Sequence, residues 1–206
     1  MKIIEVEQGS PEWLAIRCGK FTASEIFKIC APKGFGETGK SYIFGVIAEH
    51  LTSQYNQIES KAMQWGKDYE PYARELFERL SGEKIEQTGF IESDFSDKVG
   101  FSPDGLGKNF GIEIKCPYES ENHLKHLLLK NQQDLKELKP QYYWQCMFAL
   151  MVTDFDYWEF ISFDPRFPNN LQMFVMQIKP VESEILFLKG RLTEALEMYN
   201  DIIKRV

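Results

Sequence analysis

The sequence is poor in the residues that soft-metal and disulfide chemistry need. Its four cysteines, Cys18, Cys30, Cys116 and Cys146, lie far apart and form no C-x-x-C pair. Only three histidines accompany them, which argues against a structural zinc site. Four reduced, buried thiols in a cytoplasmic chain is the plain reading. No run of about 18 apolar residues occurs, so no segment is expected to span a membrane. The opening stretch MKIIEVEQGSPEW lacks the apolar core and cleavage site of a signal peptide. Basic residues are in deficit, with 24 Lys and Arg against 31 Asp and Glu and a net charge of −7. That balance argues against tight nonspecific binding to a polyanion, yet it leaves room for a local basic groove beside metal-binding carboxylates. Repeats, low-complexity tracts and Pro/Ser-rich linkers are also missing. The 206 residues are expected to form one domain, 1–206, with no separate partner-binding domain.

What is present builds a core. Hydrophobic residues make up 43% and aromatics 14% of the chain, enough to exclude disorder. Ser10 followed by Pro11 predicts a helix start. Thr22 to Glu25 has capping-box spacing and predicts a second helix, and a third is expected from Ser41 to Ser53. Tyr69, Tyr72, Ala73, Leu76, Phe77 and Leu80 recur at helical spacing and end at Gly82. Strands are expected at about 83–92, 99–101 and 111–115, then a helix over 140–152. Two aromatic-rich strands follow at about 157–163 and 173–178. The tail, 182–205, reads as a long amphipathic helix whose stripe of Ile185, Leu188, Leu192, Ala195 and Tyr199 packs internally. This is an α/β or α+β pattern, a mixed sheet flanked by helices.

One segment invites a nucleotide reading. GFGETGKS, from Gly34 to Ser41, matches a phosphate-loop pattern formally. No apolar strand precedes it, however, and SEIFKICAP before it reads as a helix ending at a proline. The preferred reading is a flexible basic loop that touches a polyanion.

The chemistry concentrates in GFSPDGLGKNFGIEIKCP, Gly100 to Pro117. In GIEIK the period of two sets Ile112 and Ile114 on one face and Glu113 and Lys115 on the other. The turn-forming GLGKNFG can fold Ser102–Asp104 back against Gly111–Lys115, bringing Asp104 beside Glu113. Two converging carboxylates suit a hard divalent ion such as Mg²⁺. A lysine on the same face can orient or deprotonate a water and stabilise charge developing on phosphorus. The bland alternative is an exposed hairpin carrying a weak cross-strand charge pair.

SPDGL…GIEIKCP resembles the PD-(D/E)XK nuclease motif, and more narrowly the lambda exonuclease, or YqaJ-type alkaline exonuclease, family. VEQGSPEWLAIRCGKFTASEI, KAMQWGKDYEPYAR and YYWQCMFALMVT resemble that family in the same order, from about Val6 to about Thr153. The resemblance implies a restriction-endonuclease-like core that digests one strand of double-stranded DNA from its ends, 5′ to 3′, with Mg²⁺ and with Mn²⁺ as a possible substitute. It also implies a ring-shaped homotrimer, a single-strand annealing partner, and a phage or prophage protein in the bacterial cytoplasm. The acidic composition fits a ring that encloses its substrate.

By the same resemblance, Asp104 and Glu113 fall on metal-ligand positions, with the backbone carbonyl of Ile114 as a third ligand, and Lys115 falls on the catalytic lysine. Glu70 matches an acid that helps hold metal or water. Its other reading is a carboxylate at a helix start, with Pro71 in the first turn. Arg17 and Ser24 resemble the pocket for a 5′-terminal phosphate, which a helix start at Thr22–Glu25 would support; alternatively Arg17 pairs with Glu12 or Glu25. Ser102 is expected to help bind the same or the adjacent phosphate. Gln145 matches a glutamine after the core motif, and Gln141, one turn earlier, stays open as an accessory. Lys61 is a candidate phosphate contact or a solvated surface lysine. Met63 is a wedge against a terminal base pair or a core residue, and Trp65 reads as core. His123 and His126 read as part of a surface or subunit-contact helix rather than metal ligands. An endonuclease on the same fold and a non-catalytic DNA-end-binding module remain as alternatives.

Overall fold

The computed structural model describes residues 1–55 and 60–206. Its strands form two four-stranded mixed sheets flanked by seven α-helices among the described residues. The first sheet has the order β1 (Lys2–Ile4), β3 (Phe90–Ser93), β4 (Ser96–Phe101), β2 (Phe21–Thr22). The second runs β5 (Gly105–Leu106), β6 (Phe110–Lys115), β7 (Tyr157–Phe163), β8 (Met173–Ile178). The expected mixed sheet flanked by helices is therefore present, with its strands divided between two sheets. β6 and β7 are parallel, so the chain must cross over between them. It does so through α4 (Ser120–Leu127), α5 (Gln132–Leu138) and α6 (Pro140–Thr153).

The second sheet is apolar on both faces, and this is what fixes β6. Phe110, Ile112 and Ile114 pack with Ile161 and Phe163 against Ala73 and Phe77 of α3 (Lys61–Ser81). On the opposite face, Trp158, Phe160, Met176 and Ile178 join the larger core with α6 and with Leu188, Leu192, Ala195 and Tyr199 of α7 (Glu182–Ile203). The tail stripe thus packs internally. Gly111 is required here, since a Cβ would lie 2.1 Å from the Trp158 ring.

Several local readings change. Phe21–Thr22 is drawn into parallel pairing with Val99–Gly100, so no helix opens at Thr22. Only a 3-10 helix, Ile26–Ile29, follows, and its flanking Glu25 makes no side-chain cap. A long-range ladder has overridden the local capping signal. GETGKS is neither a flexible loop nor a phosphate loop. It forms the first turns of α2 (Gly36–Thr52), and Gly39 permits a tight approach in which a Cβ would meet the Lys28 carbonyl at 2.8 Å. Helix α3 starts at Lys61, capped by Ser60 Oγ accepting from the Met63 amide. Glu70 and Pro71 therefore lie mid-helix and not in a first turn. Tyr72 and Leu80 of the expected stripe are exposed. The strand expected over 83–92 shortens to β3, with one isolated bridge between Glu86 and Leu106. His123 and His126 are fully buried, which corrects the surface-helix reading: both Nδ1 atoms lie 2.8 Å from Ser162 Oγ. The four cysteines are unpaired; Cys30 and Cys146 are buried, whereas Cys18 and Cys116 are only half-buried. Among the described residues no helix is long and apolar enough to cross a membrane.

Candidate active site

The alternation of β6 sends its isoleucines toward α3 and leaves Glu113 and Lys115 facing α6. The turn after β4 then folds back as expected: β5 pairs antiparallel with β6, Gly105 opposite Ile112. Because β5 stops at Leu106 and begins only at Gly105, the amide of Ile114 has no strand partner on that edge. Asp104 supplies one, its Oδ2 accepting from Ile114 N at 2.6 Å. A strand residue directs its N–H and C=O to the same edge, so the Ile114 carbonyl shares the side that Asp104 occupies.

Glu70 reaches this place from α3, and Arg74 one turn later holds it. Arg74 is buried; its Nη2 lies 2.5 Å from Glu70 Oε1 and its Nε donates to the Asp104 carbonyl at 2.9 Å. One cation thus fixes both an acid and the turn that presents a second acid. Arg74 was not singled out in the sequence. Its signal was the i, i+4 spacing from Glu70 within EPYAR.

These groups line one cleft of about 590 Å³, with Glu70, Asp104, Glu113, Ile114, Lys115 and Gln145 together in its wall. Gln141 is not among its lining residues. Lys115 Nζ stands 2.5 Å from Glu113 Oε1 and 5.0 Å from the Tyr142 ring centroid. The electrostatics are those of crowded acids. Burial, reinforced by Asp104 and Glu70 and opposed by Lys115, pushes Glu113 up to about 8. Burial and then the Asp104 charge push Glu70 up to about 7. Asp104 is raised by burial against the pull of Lys115. Burial lowers Lys115, but Glu113 and Asp104 outweigh it, so its pKa is raised and it is an ammonium at neutral pH.

The donor set fits a hard divalent cation. Glu70 Oε1 pairs with Arg74, Asp104 Oδ2 accepts from the Ile114 amide, and Glu113 Oε1 pairs with Lys115. Crowded carboxylates with raised pKa values are relieved by a positive charge. Among the described residues no group of three His, Cys, Asp or Glu side chains is placed to hold a metal ion. The fit rests on the Asp104 and Glu113 carboxylates with the Ile114 carbonyl, a donor set of the hard-oxygen kind that Mg²⁺ takes.

A second cleft, of about 950 Å³, contains Arg17 and Ser24 together with Trp13, Thr22, Lys28, Thr38, Ser41 and Tyr42. Arg17 makes no ion pair with Glu12 or Glu25; Glu25 pairs instead with Lys28. The Arg17 guanidinium lies 4.4 Å over the Trp13 ring, and the Trp13 indole donates to Ser102 Oγ at 2.7 Å. Trp13 thereby links Arg17 to Ser102, a connection the sequence did not reveal. Tyr42 also went unnoticed; its hydroxyl accepts from the Thr22 amide at 3.0 Å. The α-helix whose first turns face this cleft is α2, through Thr38 and Ser41, and not a helix beginning at Thr22.

Met63 lines both clefts. It is 39% exposed, so it belongs to the rim between them and not to the core. Trp65 is half-buried. Lys61 is exposed at the start of α3 and lines neither cleft.

Comparison with known proteins agrees with this architecture. An alkaline exonuclease (LHK-Exo) from Laribacter hongkongensis superposes with a TM-score of 0.82 at 28% identity, over 95% of each chain. The structure of LHK-Exo in complex with dAMP gives 0.78 at 28% identity, over 95% of this chain and 97% of that one. A phage-related exonuclease from Haemophilus somnus 129PT shares the fold at 17% identity, with a TM-score of 0.75 over 90% of this chain and 96% of that one. No curated protein sequence matches the chain. Residues 12–156, well over half the chain, match the family description of a YqaJ-like viral recombinase domain, and the chain belongs to that family.

Proposed function

We propose that this protein is a divalent-metal-dependent exonuclease that digests one strand of linear double-stranded DNA from its 5′ end and leaves 3′ single-stranded overhangs for recombination by strand annealing. The observation that carries the reading is the junction at Met63 of two chemically different clefts. One offers crowded carboxylates and a lysine; the other sets Arg17, Lys20 and Lys28 among hydroxyl groups, with Glu25, Glu37 and Glu49 also in its wall. The likeness to alkaline exonucleases supports it.

Asp104, Glu113 and the Ile114 carbonyl would hold Mg²⁺ or Mn²⁺, with Glu70 holding the ion or one of its waters. When bound, the ion polarises a phosphoryl oxygen and lowers the pKa of a bound water. Lys115, an ammonium, orients the attacking water and stabilises the charge that develops on the phosphoryl oxygens. Arg74 keeps Glu70 and the Asp104 turn in place. Gln145, on the facing helix, contributes a hydrogen bond to water or substrate. In the other cleft, Arg17 grips a terminal phosphate through two N–H groups, assisted by Ser24, by Ser102 through its contact with Trp13, and by the positive end of α2. Met63, between the two clefts, would wedge against the terminal base pair, and Lys61, exposed at the start of α3 and outside both clefts, would meet the passing strand. Trimer assembly and an annealing partner belong to the same reading, and sedimentation of the purified protein tests the first.

Digestion of end-labelled linear duplexes, with a closed circle as control, tests the activity. Expected is Mg²⁺-dependent release of mononucleotides from linear DNA, with the circle spared and EDTA abolishing release. Cutting of the circle would instead assign an endonuclease. No cleavage of any substrate would leave a DNA-end-binding module.

A further inference from the structure

The aromatic residues of α3 form a ridge that the two clefts do not use. The Trp65 and Tyr69 ring centroids are 4.2 Å apart. Trp65 meets Tyr118 edge-on at 5.9 Å, and Tyr69 meets Tyr72 at 6.1 Å. Tyr118 lines the carboxylate cleft. At the far end, Tyr69 and Tyr72 line a separate cavity of about 500 Å³ with Asp68, Phe163 and Pro165. The ridge therefore runs unbroken from the cleft that holds Lys115 to a second cavity.

Its ends are open and its middle is locked. Tyr72 is 62% and Tyr118 42% exposed. Trp65 carries the Arg166 guanidinium 4.4 Å over its ring. Arg166 in turn donates to both oxygens of the buried Asp164, each at 2.8 Å, and to the carbonyls of Pro117 at 3.1 Å and Tyr118 at 2.9 Å. With these acceptors engaged, the arginine serves to fix the rings and the segment after Lys115, and little of its charge is left to attract a phosphate. Large exposed aromatics held in a row are what successive bases stack on, in a manner indifferent to sequence. Charge points the same way: the cavity at the far end is lined by Asp68, two tyrosines, Phe163 and Pro165, so a strand there gains little from phosphate attraction and is held largely by nonionic contacts.

We propose that the Tyr118–Trp65–Tyr69–Tyr72 ridge is a binding site for single-stranded DNA, with bases stacking on Tyr118 and Tyr72 as the strand passes between the carboxylate cleft and the second cavity. The assignment of the strand to DNA rests on the nuclease reading above. The ridge continues directly from that cleft, which favours the substrate's own single strand over a separate partner.

The test is a titration in EDTA, where no cleavage occurs, of fluorescent oligothymidylate and of an abasic oligomer with the same backbone. The wild-type protein is expected to prefer the oligothymidylate. Tyr72→Ala and Tyr118→Ala should each weaken that binding about fivefold or more, leaving the abasic oligomer unaffected. Tyr72→Phe and Tyr118→Phe keep the ring and should bind as wild type. Raising the salt should weaken the oligothymidylate complex only slightly. Equal affinity for the two oligomers, or Ala variants that weaken both alike, would overturn the proposal. So would Tyr72→Ala that leaves oligothymidylate binding intact and instead changes the sedimentation of the protein, which would assign the ridge to contact between copies. Digestion by the wild-type protein, followed in parallel with Mg²⁺, tests the nuclease reading separately. Its failure beside an intact base preference would sink that reading and leave the ridge as a single-strand site.

Discussion

The two clefts that meet at Met63 are built in opposite ways. The carboxylate cleft draws Asp104, Glu113, Ile114 and Lys115 from one hairpin, braced by its own backbone where Ile114 N donates to Asp104 and by a single side chain of α3, Arg74, which donates to the Asp104 carbonyl. The arginine cleft is assembled from α1 (Pro11–Arg17), β2, the 3-10 helix and α2, and its braces are side chains, Trp13 under Arg17 and Tyr42 on the Thr22 amide. The first concentrates like charges at a cost in stability and needs a cation to relieve it. The second holds a cation whose charge no acid of the described residues neutralises by a direct ion pair. We propose chemistry for the crowded site and recognition for the open one.

Substitutions can break that division. Asp104→Asn keeps an acceptor for the Ile114 amide but loses the charge, and Lys115→Ala removes the ammonium. Each should lower cleavage by at least about 100-fold, the order expected for losing one electrostatic stabiliser. Asp104→Asn should melt close to wild type, whereas Lys115→Ala also strips the buried Glu113 of its partner and should melt lower. Near-normal cleavage by either variant would remove the carboxylate cleft from the chemistry.

Arg74→Ala should blur the comparison by damaging stability and activity together. It leaves Glu70 without its partner and frees the Asp104 turn, at a cost of about 2 kcal/mol or more. Denaturant unfolding beside cleavage rates checks this, and loss of activity with full stability would show that Arg74 acts on substrate directly. A smaller and more selective effect is expected for Arg17→Ala: roughly tenfold slower digestion of 5′-phosphorylated ends, from loss of a charge-assisted contact, with unchanged rates on 5′-hydroxyl ends.

The subtlest contrast is in pH. Glu113 and Glu70 have folded-state pKa values raised to about 8 and about 7. A raised carboxyl contributes stability that is fully present below its unfolded value, near 4.5, and is lost as pH rises through 7 to 8. Metal-free protein should therefore melt at lower temperature as pH climbs through that window. Mg²⁺ should restore the loss, and Glu113→Gln should flatten the curve. A melting temperature that rises over the same window would contradict the crowding of charge in the cleft.

Legibility in the sequence followed the range of the interactions. Asp104, Glu113 and Lys115 could be read because period-two alternation and a glycine-rich turn place them by local rules alone. Strands β7 and β8 and helices α6 and α7 were legible for the same reason. Arg74 and Trp13 lay within recognisable stretches, yet their partners, the Asp104 carbonyl and Ser102 Oγ, are 30 and 89 residues away. The Thr22–Glu25 capping signal lost to pairing with β4, and Gly39 of GETGKS, which suggests a loop, instead allows α2 to pack against the Lys28 carbonyl. His123 and His126 resemble surface residues until Ser162, on a strand far along the chain, supplies the hydrogen bonds that let them be buried.

The most direct test of the central claim, that both clefts act on one DNA end, is a four-way comparison of single-turnover digestion rates. Wild type and Arg17→Ala are each assayed with Mg²⁺ on duplexes bearing 5′-phosphate and 5′-hydroxyl ends. Removal of the phosphate should slow the wild-type protein markedly and leave Arg17→Ala unchanged. Equal slowing of both proteins by phosphate removal would separate Arg17 from the DNA end and contradict the account.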